Sequence, residues 1–181
     1  MDFRIATQQQ FPLCTKYAST ELQPGPLKKN KPDVWAAFVR ACESDRWAKT
    51  ALTWDDPSGP TVSPIAGLVT DKPTAGHNNI SGCGFTRAPR FNADIEIDAI
   101  LFNAVEKAVY AGDRDFAKLH LEVTILHELV HWARFQVGAN ILLWTDPPIA
   151  GAEAGSVFEM WAYKRLYCTD LEFSRLAASY M

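Results

Sequence analysis

The spacing of apolar side chains along the chain changes from helical to strand-like and back. Apolar residues between positions 35 and 42 recur every three or four positions, which predicts a helix from Asp33, as N-cap, to about Thr50. Residues 93–101 instead alternate apolar and acidic side chains, the period-two pattern of a half-buried strand. The chain is therefore expected to combine helices with a small amount of sheet.

The second half of the chain carries the stronger helical pattern. Helices are predicted over residues 101–110, from Asp113 or Asp115 to a stop near Gly138, and over about residues 152–167. The middle helix is apolar on nearly all sides, which indicates that it is central and buried.

Proline and glycine interrupt the first half of the chain. Prolines punctuate residues 1–32, and together with the basic run Lys28–Lys31 they predict a solvated loop. Five prolines and five glycines fall within residues 55–92, where one short strand is predicted at residues 65–70. We therefore expect a loop-rich N-terminal part, residues 1–92.

Length and composition fit one domain over residues 1–181, because 181 residues with 48% hydrophobic side chains suffice for a single core. The formal net charge of −3 provides no positive field to attract nucleic acid. No apolar run approaches the roughly 20 residues of a membrane span. Nucleic acid and membrane insertion are thus not expected.

Four cysteines, Cys14, Cys42, Cys83 and Cys168, are widely scattered. They form no C-x-x-C pair, which argues against a thiolate zinc site. Two disulfides in an oxidising compartment and four thiols in a reducing one are both compatible with this spacing.

A motif with specific chemistry lies inside the predicted buried helix, His127-Glu128-Leu129-Val130-His131. Residues four apart share a helix face, so both imidazoles can bind one Zn²⁺. Zinc lowers the pKa of water towards about 7, and Glu128 can accept the proton as general base. With four histidines in the chain, roughly 0.004 such motifs are expected by chance. The motif therefore predicts a zinc peptidase site.

The third zinc ligand separates the subclasses of such sites. The H-E-x-x-H-x-x-G-x-x-H pattern is absent, because Arg134 and Val137 stand where it has Gly and His. Among the downstream acidic residues, Glu153 lies near the apolar face of the last predicted helix, and Gly155 beside it permits close approach. Glu153 is the expected ligand. Glu159 is the alternative ligand or a residue that supports one, and is otherwise a solvated helix residue.

Two segments carry a resemblance to a known family. Residues 123–135 around the motif, and Glu153–Glu159 with the sequence E-A-G-S-V-F-E, resemble the gluzincin-type metallopeptidase toxin domains of bacteria. Some of those domains are fused to the spike proteins of type VI secretion systems. The resemblance covers about residues 93–167, which we take as the catalytic core. Val157 departs from thermolysin-like gluzincins, which have an Asp there to orient a ligand histidine.

The resemblance implies an α+β, zincin-like metallopeptidase fold. That fold has a small irregular sheet, an active-site helix and a second helix that bears a ligand. Carried over by position, His127, His131 and Glu153 are the implied zinc ligands, and Glu128 is the implied catalytic base.

The implied function is that of a zinc-dependent metalloprotease acting as a secreted antibacterial effector. The N-terminus has no cationic segment followed by an apolar core, so export without a signal peptide is expected, by type VI secretion into the target-cell periplasm. The expected partners are a protein or peptide substrate, a secretion-system spike and an immunity protein. The alternatives are a catalytically silent zinc-binding module and a housekeeping cytoplasmic peptidase.

Three further expectations concern residues around the motif. Tyr163 is a candidate donor that stabilises the oxyanion. His120, seven residues before His127, is expected to be a core or supporting histidine. The strand at residues 94–99 is expected to be the sheet edge against which an extended substrate pairs.

Overall fold

The computed structural model describes residues 1–65, 84–86, 95–140, 143–145 and 148–167. Its helices and strands follow one another as β1 (Asp2–Phe3), α1 (Ile5–Gln10), α2 (Pro12–Glu21), α3 (Pro24–Asn30), α4 (Pro32–Cys42), α5 (Asp45–Leu52), β2 (Thr61–Ile65), β3 (Gly84–Thr86), β4 (Ile95–Asp98), α6 (Ala99–Lys107), α7 (Ala111–Val137) and α8 (Ala154–Tyr163). This arrangement confirms the predicted α+β fold. Among these helices, none combines the length and the apolar character needed to cross a membrane.

The four described strands form one small mixed sheet in the order β1-β2-β4-β3. β2 pairs in parallel with both β1 and β4, whereas β3 pairs with β4 in antiparallel orientation. The period-two pattern holds in β4, where Ile95 and Ile97 are fully buried. Because β4 has a partner on each side, the prediction that it forms the sheet edge for substrate is wrong.

Helix α7 is the centre of the fold. It packs against α4, α5, α6 and α8 and against strands β3 and β4, which explains why its sequence is apolar on nearly all sides. The predicted stop is confirmed, since Gly138 has a left-handed backbone with φ of 72° and its N–H bonds to the carbonyls of Arg134 and Phe135. The start differs from the prediction. Tyr110 is the N-cap, and Asp113 lies within the first turn.

The N-terminal region is helical, so the prediction of a solvated loop over residues 1–32 is wrong. Helices α2 and α3 begin at Pro12 and Pro24. Proline is favoured in the first helical turn, because its fixed φ suits the helix and no N–H is needed there. These prolines mark helix starts in this chain.

The helix predicted from Asp33 to about Thr50 is two helices. Lys31 is the N-cap of α4, so Asp33 lies in its first turn. Glu43 ends α4 with a left-handed φ of 57°, and the Ser44 hydroxyl accepts the N–H of Trp47 to cap α5. The helix end at Glu43 and the cap at Ser44 therefore divide the predicted single helix into α4 and α5.

Smaller differences concern bounds and cysteines. Asp98 ends β4 early, because its carboxylate caps α6 by accepting the N–H of Ile100. The strand predicted at residues 65–70 lies mostly outside the described residues. Cys14 and Cys42 are buried free thiols, and the remaining two cysteines also lie outside the described residues.

A buried carboxylate on α7 links this helix to α2, to Lys31 before α4 and to α8. Glu122 of α7 has a fully buried side chain that accepts hydrogen bonds from Tyr17 of α2, from the Lys31 ammonium at 2.6 Å and from Tyr163 of α8 at 2.9 Å. Such a carboxylate is tolerated inside a protein because several donors replace its water shell. The basic run that the sequence presented as solvated thus supplies one interior partner.

We expect Glu122→Ala to lower the free energy of unfolding by about 3 kcal/mol, because it leaves three donors without their acceptor. This value is at the lower end for a broken buried pair, since the Lys31 side chain is 41% exposed and can return to water. Urea denaturation followed by circular dichroism measures the loss. As a control, Lys49→Ala removes only an exposed ion pair and should change stability by about 0.5 kcal/mol or less. A loss below about 1 kcal/mol for Glu122→Ala would contradict this role.

Candidate metal centre

His127 and His131 present their imidazoles side by side on α7. The ring centroids are 5.1 Å apart, and the side chains are 16% and 10% exposed. Their spacing of four residues puts both on one helix face, as the sequence predicts. Neighbouring residues such as Leu126 and Val130 are fully buried, so the two histidines are polar, slightly exposed side chains among buried apolar ones.

Glu153 reaches these imidazoles from the start of α8. As N-cap residue, it accepts the N–H groups of Gly155 at 2.8 Å and Ser156 at 2.6 Å. Its carboxylate oxygens also lie 2.6 Å from Nε2 of His131 and 3.5 Å from Nε2 of His127. The helix start therefore aims a carboxylate at the pair of histidines.

These three side chains form a donor set that can hold a metal ion. One ligand atom from each of His127, His131 and Glu153 lies within 4.8 Å of the others. Two imidazole nitrogens and one carboxylate are a donor set that zinc accepts, with bonds of about 2.0 to 2.2 Å. Nε2 of His127 lies 3.5 Å from Oε2 of Glu153, whereas Nε2 of His131 lies at hydrogen-bond distance, 2.6 Å, from Oε1 and would have to move apart from it to share an ion. In composition, the donor set fits zinc.

Gly155 allows α8 to approach α7 at this point. A Cβ atom built on Gly155 would overlap the His127 ring, so any other residue would push the ring or the helix away. This is a close approach of backbone to side chain, which only glycine permits. It agrees with the expectation drawn for Gly155 from the sequence.

Glu159 lies behind His127, on the side away from Glu153. Its Oε1 is 2.6 Å from Nδ1 of His127, and its Oε2 accepts the N–H of Tyr167 at 2.8 Å. The side chain is 2% exposed, so the reading of a solvated helix residue is wrong. A carboxylate in this position fixes the orientation and tautomer of an imidazole that binds metal. Glu159 therefore lies where a carboxylate could orient the His127 ring, and that role stays a prediction.

The electrostatics of the cluster favour positive charge. Burial opposes protonation of His127, but the Glu159 hydrogen bond and the nearby carboxylates of Glu153 and Glu128 outweigh it and raise its pKa to about 10. Burial likewise opposes ionisation of Glu153, but the His131 hydrogen bond and the two imidazoles hold its pKa well below the usual range. A divalent cation is stabilised by the same carboxylates.

Glu128 lies beside the first histidine and is 5% exposed. Its carboxylate is near enough to contribute to the raised pKa of His127. Its role as catalytic base stays a prediction.

The structure assigns different surroundings to Tyr163 and His120. The Tyr163 hydroxyl donates to Glu122 at 2.9 Å, and its role at an oxyanion stays a prediction. His120 is 1% exposed, and its ring lies 4.6 Å from that of Phe116 and 4.9 Å from that of Tyr167. It belongs to the core, one of the two readings that the sequence allowed.

Two buried charges near the centre were missed in the sequence. Glu122 and Arg134 are fully buried on the same helix as the histidines. Charged side chains are almost never fully buried unless they are paired. The sequence did contain a signal for them, because a charged residue in a helix that is predicted to be buried on nearly all sides must have partners inside the protein.

Comparison with known proteins gives one match. The model of a family described as metallopeptidase toxin 3 matches residues 7–164, a range that includes all the residues of the candidate centre. Neither a curated protein nor a solved structure matches the chain. The family match agrees with the resemblance drawn from the motif.

We expect Glu159→Ala to weaken zinc binding about 10- to 100-fold, because His127 loses the acceptor that orients it. Glu159→Gln should lie between this variant and the wild type, since an amide oxygen can still accept from Nδ1. Competition with a chromogenic chelator measures the affinity. Met160→Ala, at an exposed neighbouring position, serves as control and should bind zinc as the wild type does. Unchanged affinity in Glu159→Ala would show that His127 needs no such support.

Proposed function

Since the chain belongs to the metallopeptidase toxin 3 family, we propose that it is a zinc-dependent peptidase that hydrolyses peptide bonds with Glu128 as general base. Membership makes the chain a metallopeptidase toxin domain, for which a protein is the substrate. The zinc ion, the role of Glu128 and the antibacterial target are the parts that we propose.

One observation carries the proposal. Two imidazoles of α7 and a carboxylate of α8 converge within 4.8 Å, although Glu153 is 22 residues beyond His131 in the chain. Residues brought together from separate helices, with Glu159 behind one of them, match the composition of a His₂Glu zinc site. Three protein ligands are the number found in catalytic zinc sites that keep one position for water or substrate.

The residues of the chain divide the chemistry among them. His127, His131 and Glu153 would hold the ion, and Glu159 would keep the His127 ring turned towards it. When bound, zinc supplies a Lewis acid that polarises the scissile carbonyl and lowers the pKa of water. Glu128 accepts a proton from the attacking water and delivers it to the departing amine as the C–N bond breaks. A carboxylate that is 5% exposed suits this shuttle, because few bulk waters compete for its proton.

We further propose that the domain is a secreted antibacterial effector. Toxin family membership supports action on another cell. Type VI secretion into the periplasm of the target cell would be the export route. A spike protein and an immunity protein are the partners that such a route would involve.

Glu128→Gln should retain zinc and lose at least about 10²-fold in the rate of hydrolysis of a denatured protein, because an amide cannot accept the proton. Product release measured by gel or by fluorescent labelling gives the rate, and metal analysis of the same sample gives the zinc content. Asp115→Asn, an exposed carboxylate on the same helix, is the matched control and should keep wild-type activity. Unchanged hydrolysis in Glu128→Gln would refute the mechanism.

Expression in one bacterial compartment at a time tests the effector role. We expect a periplasm-directed form to reduce bacterial growth and a cytoplasm-directed form to leave it unchanged, with Glu128→Gln harmless in both. Colony counts after induction measure the effect. Proteolysis without toxicity in either compartment would instead indicate a housekeeping peptidase, and bound zinc without turnover would indicate a silent binding module.

A further inference from the structure

Glu153 is held in place by a loop before α8. We define the Glu153 loop as the described part of residues 143–153. Within it, Leu143 and Glu153 form an isolated antiparallel bridge, and the N–H of Trp144 donates to the carbonyl of Ala152 at 2.7 Å. The position of Leu143 is therefore coupled to the position of the Glu153 main chain.

Arg134 holds the first residue of this loop. Its side chain is fully buried, and Nη2 donates to the carbonyl of Leu143 at 3.3 Å. Nε donates to the carbonyl of Asn140 at 2.7 Å, and the Asn140 side chain accepts the N–H of Leu143 at 3.0 Å. The guanidinium also lies over the Trp144 ring, with its carbon 4.9 Å from the ring centroid. Arg134 thus contacts Leu143 directly, through the Leu143 carbonyl, and indirectly, through Asn140, whose side chain binds the Leu143 N–H.

The same guanidinium is anchored on its other side. Nη1 donates to the carbonyl of Ala41 at 3.3 Å and forms an ion pair with Glu43. Both partners lie at the junction of α4 and α5. Because these contacts occupy the planar group from several directions, Arg134 has little freedom to move.

Arg134 follows His131 by three residues on α7, which places it about 4.5 Å further along the helix axis. We propose that Arg134 is a positioning residue for the metal centre, which fixes the Glu153 carboxylate relative to the His131 imidazole. The inference rests on the proposed zinc site. It adds a side chain that connects Glu153, the proposed third ligand, to α7, which carries His127 and His131.

The chemistry of arginine supports a geometric role. A buried ion pair contributes little net stability, because removal of both charges from water offsets their attraction. The planar N–H donors of an arginine side chain instead fix the direction of several acceptors at once. Here those acceptors include the carbonyl of Leu143 in the Glu153 loop and the carbonyl of Asn140, and a metal site needs its ligands held within a few tenths of an ångström.

A double-mutant cycle on zinc affinity tests the proposal, with affinity measured on the full chain by chelator competition at a temperature where circular dichroism shows each variant folded. Arg134→Met should weaken zinc binding about 10- to 100-fold in the wild-type background. In a Glu153→Ala background it should cause no further loss, because Arg134 acts through Glu153. Equal losses in both backgrounds would overturn the proposal.

Asn140→Ala repeats the cycle in case Arg134→Met does not fold. Asn140 is exposed, so its loss leaves the core intact and removes one contact to Leu143. We expect a severalfold loss of affinity that disappears when Glu153 is Ala, and an unchanged affinity or an equal loss in both backgrounds would count against the proposal. Val105→Ala, at a fully buried position on α6, is the control for stability alone and should leave affinity unchanged.

The single Glu153→Ala variant separates the two hypotheses. If it binds zinc as tightly as the wild type, the assignment of Glu153 as ligand fails, and the role of Arg134 fails with it. If it binds weakly while Arg134→Met and Asn140→Ala bind normally, the proposed zinc site stands and only the positioning role fails.

Discussion

The carboxylate of Glu153 makes two kinds of contact at once. It caps the first turn of α8 through two main-chain N–H groups, and it faces two imidazoles of α7. Both contacts require the start of α8 to lie directly against the histidines, and a glycine at position 155 makes that approach sterically possible. A helix start fixes a side chain more rigidly than a flexible loop would, because its N–H groups are fixed by the helix itself. Helix α4 packs against both α7 and α8, and its Phe38 meets Phe158 of α8 edge-to-face with the ring centroids 5.9 Å apart.

Buried charges connect this centre to the surrounding helices. Glu122 joins α2, α7, α8 and the residue before α4, whereas Arg134 joins α7 to the α4–α5 junction and to the Glu153 loop. The two lie on either side of the histidines along α7. A purely apolar helix would pack as well, but apolar contacts have no preferred direction. Hydrogen-bonded charges select one orientation among similar packings, and a centre with converging ligands depends on that selection.

The histidines and Glu128 could be predicted from the sequence, because their relation is local and follows from the helix period. Glu153 was predicted from a helix face, but it lies one residue before α8 as the N-cap, and only the part of the argument that rests on Gly155 corresponds to the observed approach of α8 to α7. Glu159 was harder, because its burial depends on Tyr167 and His127 arriving from other parts of the fold. The N-terminal helices were missed because proline both breaks helices and begins them, and neighbouring residues alone do not separate the two cases. The central place of β4 depends on strand pairing, which no local pattern encodes.

Glu159 takes its second partner from the main chain, since the N–H of residue 167 reaches its Oε2. Every amino acid except proline offers that donor. The support for His127 is therefore insensitive to the identity of the side chain at 167 and sensitive to the path of the backbone there. The Tyr167 ring is itself buried against that of His120, so the side chain at 167 serves the core while the N–H of the same residue serves the imidazole. Substitution to proline is the exception that this arrangement does not tolerate.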